Sequence, residues 1–166
     1  MARRAQKRLA RRLSLPNGEP MRVLEFVDTH APYLNDQSTL QDAVDKLDLY
    51  KATALPVLND DGVVVGLITE RQVFDALYAE WQAAAQQVPA PQLAPFRPYA
   101  HARKDCPVTQ WMTPDPPTLS EHAPIEEAVA LMRQYGLDTL PVQGEGKFIG
   151  TIRLVDCCQA MLETEP

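Results

Sequence analysis

The chain repeats itself, and no other feature constrains its fold as strongly. Tyr33–Val57 (YLNDQSTLQDAVDKLDLYKATALPV) lies over Thr118–Val142 (TLSEHAPIEEAVALMRQYGLDTLPV) without a gap, at an offset of 85 residues. Leu34 falls on Leu119, Leu40 on Ile125, Ala43-Val44 on Ala128-Val129, Leu47 on Met132 and Tyr50 on Tyr135. Leu55-Pro-Val57 falls on Leu140-Pro-Val142. One residue is lost in the following turn, where Asn59-Asp-Asp-Gly62 meets Gly144-Glu-Gly146, and the match resumes at an offset of 84. Such self-similarity means two copies of one supersecondary unit.

Each copy decodes in the same way. A short strand near Tyr33-Leu34, or near Thr118-Leu119, leads into an amphipathic helix. In the second copy Ile125, Ala128, Val129 and Met132 recur at helical spacing, Glu126 and Glu127 sit where the helix dipole favours acids, and Pro124 suits a first helical position. A hairpin follows, Leu55–Leu58 with Val63–Ile68 and Leu140–Gln143 with Phe148–Ile152. A second helix closes each copy, from Glu70 to Glu80 or beyond and over Leu154–Leu162. The fold class expected is α/β (α+β), two β-α-β-β-α units paired by a pseudo-twofold. One unit of about 50 residues buries its faces poorly alone, and two can cover each other.

Glycines in the second hairpin invite a nucleotide-loop reading, which their context excludes. Gly144, Gly146 and Gly150 separate two apolar runs rather than joining a strand to a helix, and Lys147 is followed by Phe148 instead of Ser or Thr. Gly144-Glu-Gly146 is read instead as the left-handed backbone of a tight turn.

The boundaries expected are a basic arm at 1–22, a first unit at 23–78, a helical extension with a proline-rich linker at 79–110, and a second unit at 111–166. The linker cannot be helical throughout, and Trp81, Phe96 and Tyr99 suggest that it lies on the body. Residues 1–18 carry six basic side chains and no acid, leaving 10 basic against 22 acidic groups, a net −12, in the rest of the chain. An acidic body disfavours nucleic acid, so such binding is expected only weakly, through the arm. Wound as a helix, the arm would align Ala5, Leu9 and Leu13. A solvated arm, an anion- or membrane-surface arm and a targeting peptide all remain open.

No apolar run is long enough to span a membrane, and no secretory apolar segment follows the basic start. Cys106, Cys157 and Cys158 form no disulfide framework, which points to a reducing, cytoplasmic setting. Cys157-Cys158 aligns with Val73-Phe74, where a helix packs inward, so a core role is expected. His30, His101 and His122 lack ligand spacing, so no metal site is expected. No nucleophile or metalloprotease motif is present, and no enzymatic activity is expected.

Met112-Thr-Pro114, Ile125-Glu-Glu-Ala128, Met132, Leu140-Pro-Val142 and Gly150…Asp156, with their counterparts in the first copy, resemble tandem cystathionine-β-synthase-type (CBS) domains, a Bateman module. The resemblance covers roughly Val23 to Leu162. It implies binding of adenosine-type nucleotides (AMP, ADP, ATP or S-adenosylmethionine) in clefts between the paired units, dimerisation into a disc, and a regulatory role without chemistry. It further implies a Ser/Thr at the end of the last strand facing phosphate and, three residues on, an Asp holding the ribose diol. A carboxylate suits a diol, two acceptor oxygens for two donors.

This chain divides that pair between its copies. The first has Thr69 with Gln72, and the second has Arg153 with Asp156. Thr69-Glu-Arg-Gln72 also reads as a capping box. Arginine caps poorly, so Arg153 either meets a phosphate beside free helix N–H groups or folds onto Asp156 and closes the site. The nucleotide-binding candidates are Asp156, Arg153, Thr118, Leu140, Pro141, Val142, Thr69, Gln72 and Pro56. Tyr50 and Tyr135 are read as core or dimer packing. Acidic Asp138, beside the expected cleft, disfavours a polyphosphate. The expectation is a stand-alone sensor of an adenine nucleotide, homodimeric through parts of Glu70–Tyr78 and Leu154–Leu162 and regulating a partner in trans. The alternative is a nucleotide-free scaffold for dimerisation and protein interaction.

Overall fold

The computed structural model describes residues 20–85 and 96–163. The arm residues Ala5, Leu9 and Leu13 lie outside the described residues. Among the described residues seven strands and five α-helices follow in chain order: β1 Leu34–Asn35, α1 Leu40–Tyr50, β2 Ala54–Leu58, β3 Val64–Thr69, α2 Glu70–Ala85, α3 Arg97–Arg103, β4 Thr113–Pro114, β5 Leu119–Ser120, α4 Ile125–Tyr135, β6 Thr139–Gly144, β7 Lys147–Arg153 and α5 Leu154–Leu162. The chain divides into two compact units, Pro32–Pro116 (the early unit) and Met1–Ala31 with Pro117–Pro166 (the late unit).

In the early unit the strand order is β1-β2-β3-β4, with β1 parallel to β2 and the other pairs antiparallel. The late unit repeats this with β5-β6-β7, β5 parallel to β6. A further bridge joins Asp28 to Thr151 beyond β7, through Asp28 N–H to Thr151 O (2.9 Å) and Thr151 N–H to Asp28 O (3.2 Å). The two cores match side chain for side chain. Leu34, Leu40, Ala43, Leu55, Val57 and Ile68 of one occupy the places of Leu119, Ile125, Ala128, Leu140, Val142 and Ile152 of the other. Burying each large aliphatic contributes about 1.5–3 kcal/mol, which is what holds helix faces of this period against the sheets.

The repeats in the sequence and the compact units in space are different stretches. Val23–Glu25 forms a 3-10 turn, and so does Val108–Gln110. Both valines are fully buried, Val23 in the late core and Val108 in the early one. Residues 23–31, expected in the first unit, therefore pack with the second repeat, and 108–116 pack with the first. Met21, inside the segment expected as an arm, is buried too. The physical reason is the open edge of β3 and of β7, which pairs with a strand entering from a remote part of the chain.

Local details also differ from expectation. The β6–β7 turn is Glu145–Gly146, both left-handed, a two-residue turn matching strand twist, while Gly144 still belongs to β6. Pro124 stands one place before the helix with extended backbone. The linker, expected not to be helical throughout, contains the short helix α3, with Pro98 in its first turn, where a missing N–H costs nothing. Tyr50 and Tyr135 are both exposed, so neither is core. Of the cysteine pair only Cys157 is buried; Cys158 is exposed.

Candidate functional site

Strand alternation sorts the candidate residues into two sets. Leu140 pairs with Ile152 and Val142 with Gly150, on the core face of the late sheet. Leu140 and Val142 are fully buried there and offer a ligand only backbone. Thr139 pairs with Arg153 and Pro141 with Thr151 on the opposite face, which Thr118 joins by alternation from Leu119. In the early sheet Pro56 pairs with Leu67 and Ala54 with Thr69, again opposite the core face. Arg153, Pro141, Thr118 and Thr151 thus share one face, and Pro56 and Thr69 share its counterpart.

At the strand-to-helix junction of the early unit, Thr69 and Gln72 satisfy each other. Thr69 N–H donates to Gln72 Oε1 (2.9 Å), and Gln72 N–H donates to Thr69 Oγ1 (3.2 Å). Gln72 Nε2 then donates to Thr113 Oγ1 at 2.9 Å, tying the cap to β4. The capping box holds, and it uses the groups a ligand would need.

The late junction is built from charge. Asp156 Oδ2 accepts from Arg153 N–H (2.8 Å) and Nε (3.1 Å), and Oδ1 accepts from Nη2 at 2.9 Å. This is a bidentate fork, the strong geometry for guanidinium and carboxylate. The Asp156 side chain is 9% exposed and that of Arg153 57%, so the carboxylate is sheltered and the cation reaches solvent. Only half a capping box forms here, because a guanidinium has no acceptor to return to the helix N–H groups. The first helical N–H is met elsewhere: Leu154 N–H donates to Asp138 O (2.8 Å), as Glu70 N–H donates to Thr53 O (3.0 Å) in the early unit. The Asp156 hydrogen bonds, and then the charges of Asp156 and Asp28, raise the Arg153 pKa above its ordinary value against a pull from partial burial.

Asp28 is the site residue that sequence reasoning missed. It pairs with Thr151 as Thr113 pairs with Leu67, and its charge is felt at Arg153. The missed signal is that the 85-residue offset extends upstream: Val23, Phe26, Val27 and Asp28 fall on Val108, Trp111, Met112 and Thr113. Val27-Asp-Thr29 is the first copy's counterpart of Met112-Thr-Pro114, and it keeps none of those three residues in place.

Among the described residues no group of three or more His, Cys, Asp or Glu side chains could hold a metal ion. No helix there is long and apolar enough to cross a membrane.

Comparison with known proteins places this architecture. The CBS domain family model matches residues 23–79 and 108–163, the two sequence repeats. An A-adding tRNA nucleotidyltransferase of Aquifex aeolicus is 24% identical over 143 residues, 86% of this chain, but the chain spans only 15% of that protein's length. The crystal structure of CBSX2 in complex with AMP superposes with a TM-score of 0.65 at 23% identity, covering 86% of this chain and 96% of that one. The CBS domain pair of protein MJ0100, solved with 5-methylthioadenosine and S-adenosyl-L-methionine, gives a TM-score of 0.62 at 17% identity, covering 84% and 94%. At these identities the likeness is one of fold. Two family matches on two repeats, each with its own sheet and helices, make this chain a member of the CBS domain family carrying the domain twice.

Proposed function

We propose that this chain is a regulatory module without chemistry of its own, sensing an adenosine-type nucleotide, and that the late junction is the half that binds. The observation carrying this reading is the carboxylate of Asp156, sheltered at the third residue of α5 directly after β7. Three hydrogen bonds fill part of its acceptor capacity, and a ribose diol needs two more acceptor positions, so binding requires Arg153 to yield. Arg153, more than half exposed, is free to swing toward a phosphate, where it makes charge-assisted bonds. The solved relatives holding AMP, 5-methylthioadenosine and S-adenosyl-L-methionine support this ligand class. Asp28 and Asp138 beside the junction disfavour a polyphosphate, so AMP is preferred over ADP or ATP.

A second reading rests on the same fork: if Arg153 stays on Asp156, the chain is a nucleotide-free scaffold. Calorimetric titration of Asp156→Ala and Arg153→Ala with adenosine and AMP separates them. In the sensing reading Asp156→Ala weakens both ligands by about 1.5–3 kcal/mol, and Arg153→Ala weakens AMP far more than adenosine. If Arg153 is a plug, its removal improves adenosine binding.

Homodimerisation accompanies either reading. α5 exposes Leu154, Val155, Met161 and Leu162, an apolar face on which a second copy fits. The expected contribution of Glu70–Tyr78 is altered, because α3 packs along α2. Val155→Asp with Leu162→Asp should convert a dimer to a monomer in sedimentation, and a monomeric wild type would remove the claim.

A further inference from the structure

The insertion between the repeats builds a cavity that the sensing role does not use. Along α2, Phe74, Leu77, Tyr78 and Trp81 fall on one stripe at helical spacing. Phe74 stacks on Tyr78 (centroids 5.5 Å apart), and Tyr78 tilts against Trp81 (5.0 Å). Helix α3 faces this stripe and is held in place by Arg103, whose Nε lies 3.0 Å from Glu80 Oε1 and whose guanidinium lies 5.5 Å from the Trp111 ring centre. Between the helices is a cavity of about 330 Å³ lined by the four stripe residues with Phe96 and Ala100, all apolar or aromatic.

A second groove of about 220 Å³ shares Leu77, Phe96 and Ala100 with this cavity, lies against Leu40, Gln41 and Val44 of α1, and is bordered by Arg97, His101 and Lys104. Among the described residues no carboxylate lines either space. That is a local exception on a body of net −12 beyond residue 18. Phe74 and Phe96 are both more than half exposed, which marks an apolar surface that is used.

We propose that this groove binds a medium-chain fatty carboxylate, its chain along the aromatic stripe and its carboxylate between Arg97 and Lys104. The lining matches what a small-molecule site needs, an apolar enclosure with a few polar groups at one end. The two spaces share apolar residues and the second is bordered by cations, which suits a ligand with one apolar and one anionic end. The cations fix the direction of entry, head toward α3 and tail toward Trp81.

The test is calorimetric titration of the full chain with decanoate and with decanol, both below aggregation, alongside tryptophan fluorescence. Wild type should bind one decanoate per chain. Ala100→Trp, which fills the cavity, should weaken decanoate at least about tenfold, as should the double variant Arg97→Glu/Lys104→Glu. The charge-reversed protein should keep decanol within about twofold, since the alcohol has no anion to lose. Absence of decanoate binding to wild type overturns the proposal, as does unchanged binding in Ala100→Trp. Equal losses of decanoate and decanol on charge reversal also overturn it. So does a wild-type dimer that Ala100→Trp dissociates, which would assign this face to a second copy.

Discussion

Thr69 with Gln72 in the early unit and Arg153 with Asp156 in the late unit occupy the same place in the same fold, and they solve the helix end differently. The early pair is neutral and reciprocal, and the Gln72 amide nitrogen donates to Thr113. The late pair is ionic, one-sided, and joined by the charge of Asp28 where the early unit has that threonine. A neutral capping box gains nothing by opening. An exposed guanidinium can leave a sheltered carboxylate for another anion only where the carboxylate's lost hydrogen bonds are replaced, as a ribose diol would replace them. On the proposed reading, duplication leaves one junction structural and the other open to a ligand.

The comparison breaks most visibly if the units are cut in the wrong place. A fragment spanning 32–116 contains Val108 and β4, which complete the early core and sheet, whereas 23–87 has neither. The first should show a cooperative thermal transition by circular dichroism; the second should aggregate or show none. A sharp transition in 23–87 would mean that the exchanged entry strands are dispensable.

Next in size is a pair of aligned glycines. A Cβ added at Gly150 meets the backbone of Asp28 and Thr29, and one added at Gly66 meets only the Met112 side chain. Gly150→Ala should cost roughly 3 kcal/mol or more, since backbone must move, and Gly66→Ala roughly 1 kcal/mol, since methionine adapts. Urea unfolding of the two variants measures the difference, and equal costs would contradict it.

Smaller again are the helix ends after α1 and α4. Lys51 and Gly136 both adopt left-handed backbone (φ 52° and 64°), which suits glycine and strains lysine. Lys51→Gly should stabilise by about 0.5–1 kcal/mol despite losing its exposed pair with Asp48, and Gly136→Lys should cost about as much. Thermal melts of both decide it.

A further effect is confined to high pH. Burial, and then the Asp156 charge, push the Cys157 thiol up to about 11, while the thiol in the unfolded chain ionises near 9. Between these values the folded state binds the extra proton, so this contribution to stability is intact below about pH 9 and is lost as pH rises toward 11. Cys157→Ala should flatten the fall in stability over that window. Iodoacetamide at mild pH should label exposed Cys158 well before Cys157.

Most of the fold was legible because its signals are local or repeated. The bounds of α5, Leu154–Leu162, follow from the helical pattern after a strand, and the hairpins follow from apolar runs around glycine. The exchange of entry segments was not legible. Val23-Leu-Glu-Phe-Val-Asp28 and Val108-Thr-Gln-Trp-Met-Thr113 share few identities, and a sequence does not say which remote sheet edge a two-residue strand will join. Helix α3 was hidden by the prolines around it. At the site, Asp156 and Arg153 were readable only through the resemblance to CBS domains, and the fork was one of the two arrangements left open for Arg153. Asp28 was invisible because it arrives through the exchanged strand.

The central claim is that the late junction binds and the early one does not. Calorimetric titration of AMP into wild type, Asp156→Ala and Gln72→Ala tests it most directly. The account predicts one AMP per chain, a loss of about 1.5–3 kcal/mol in Asp156→Ala and no change in Gln72→Ala. No AMP binding to wild type, or a loss confined to Gln72→Ala, would contradict it.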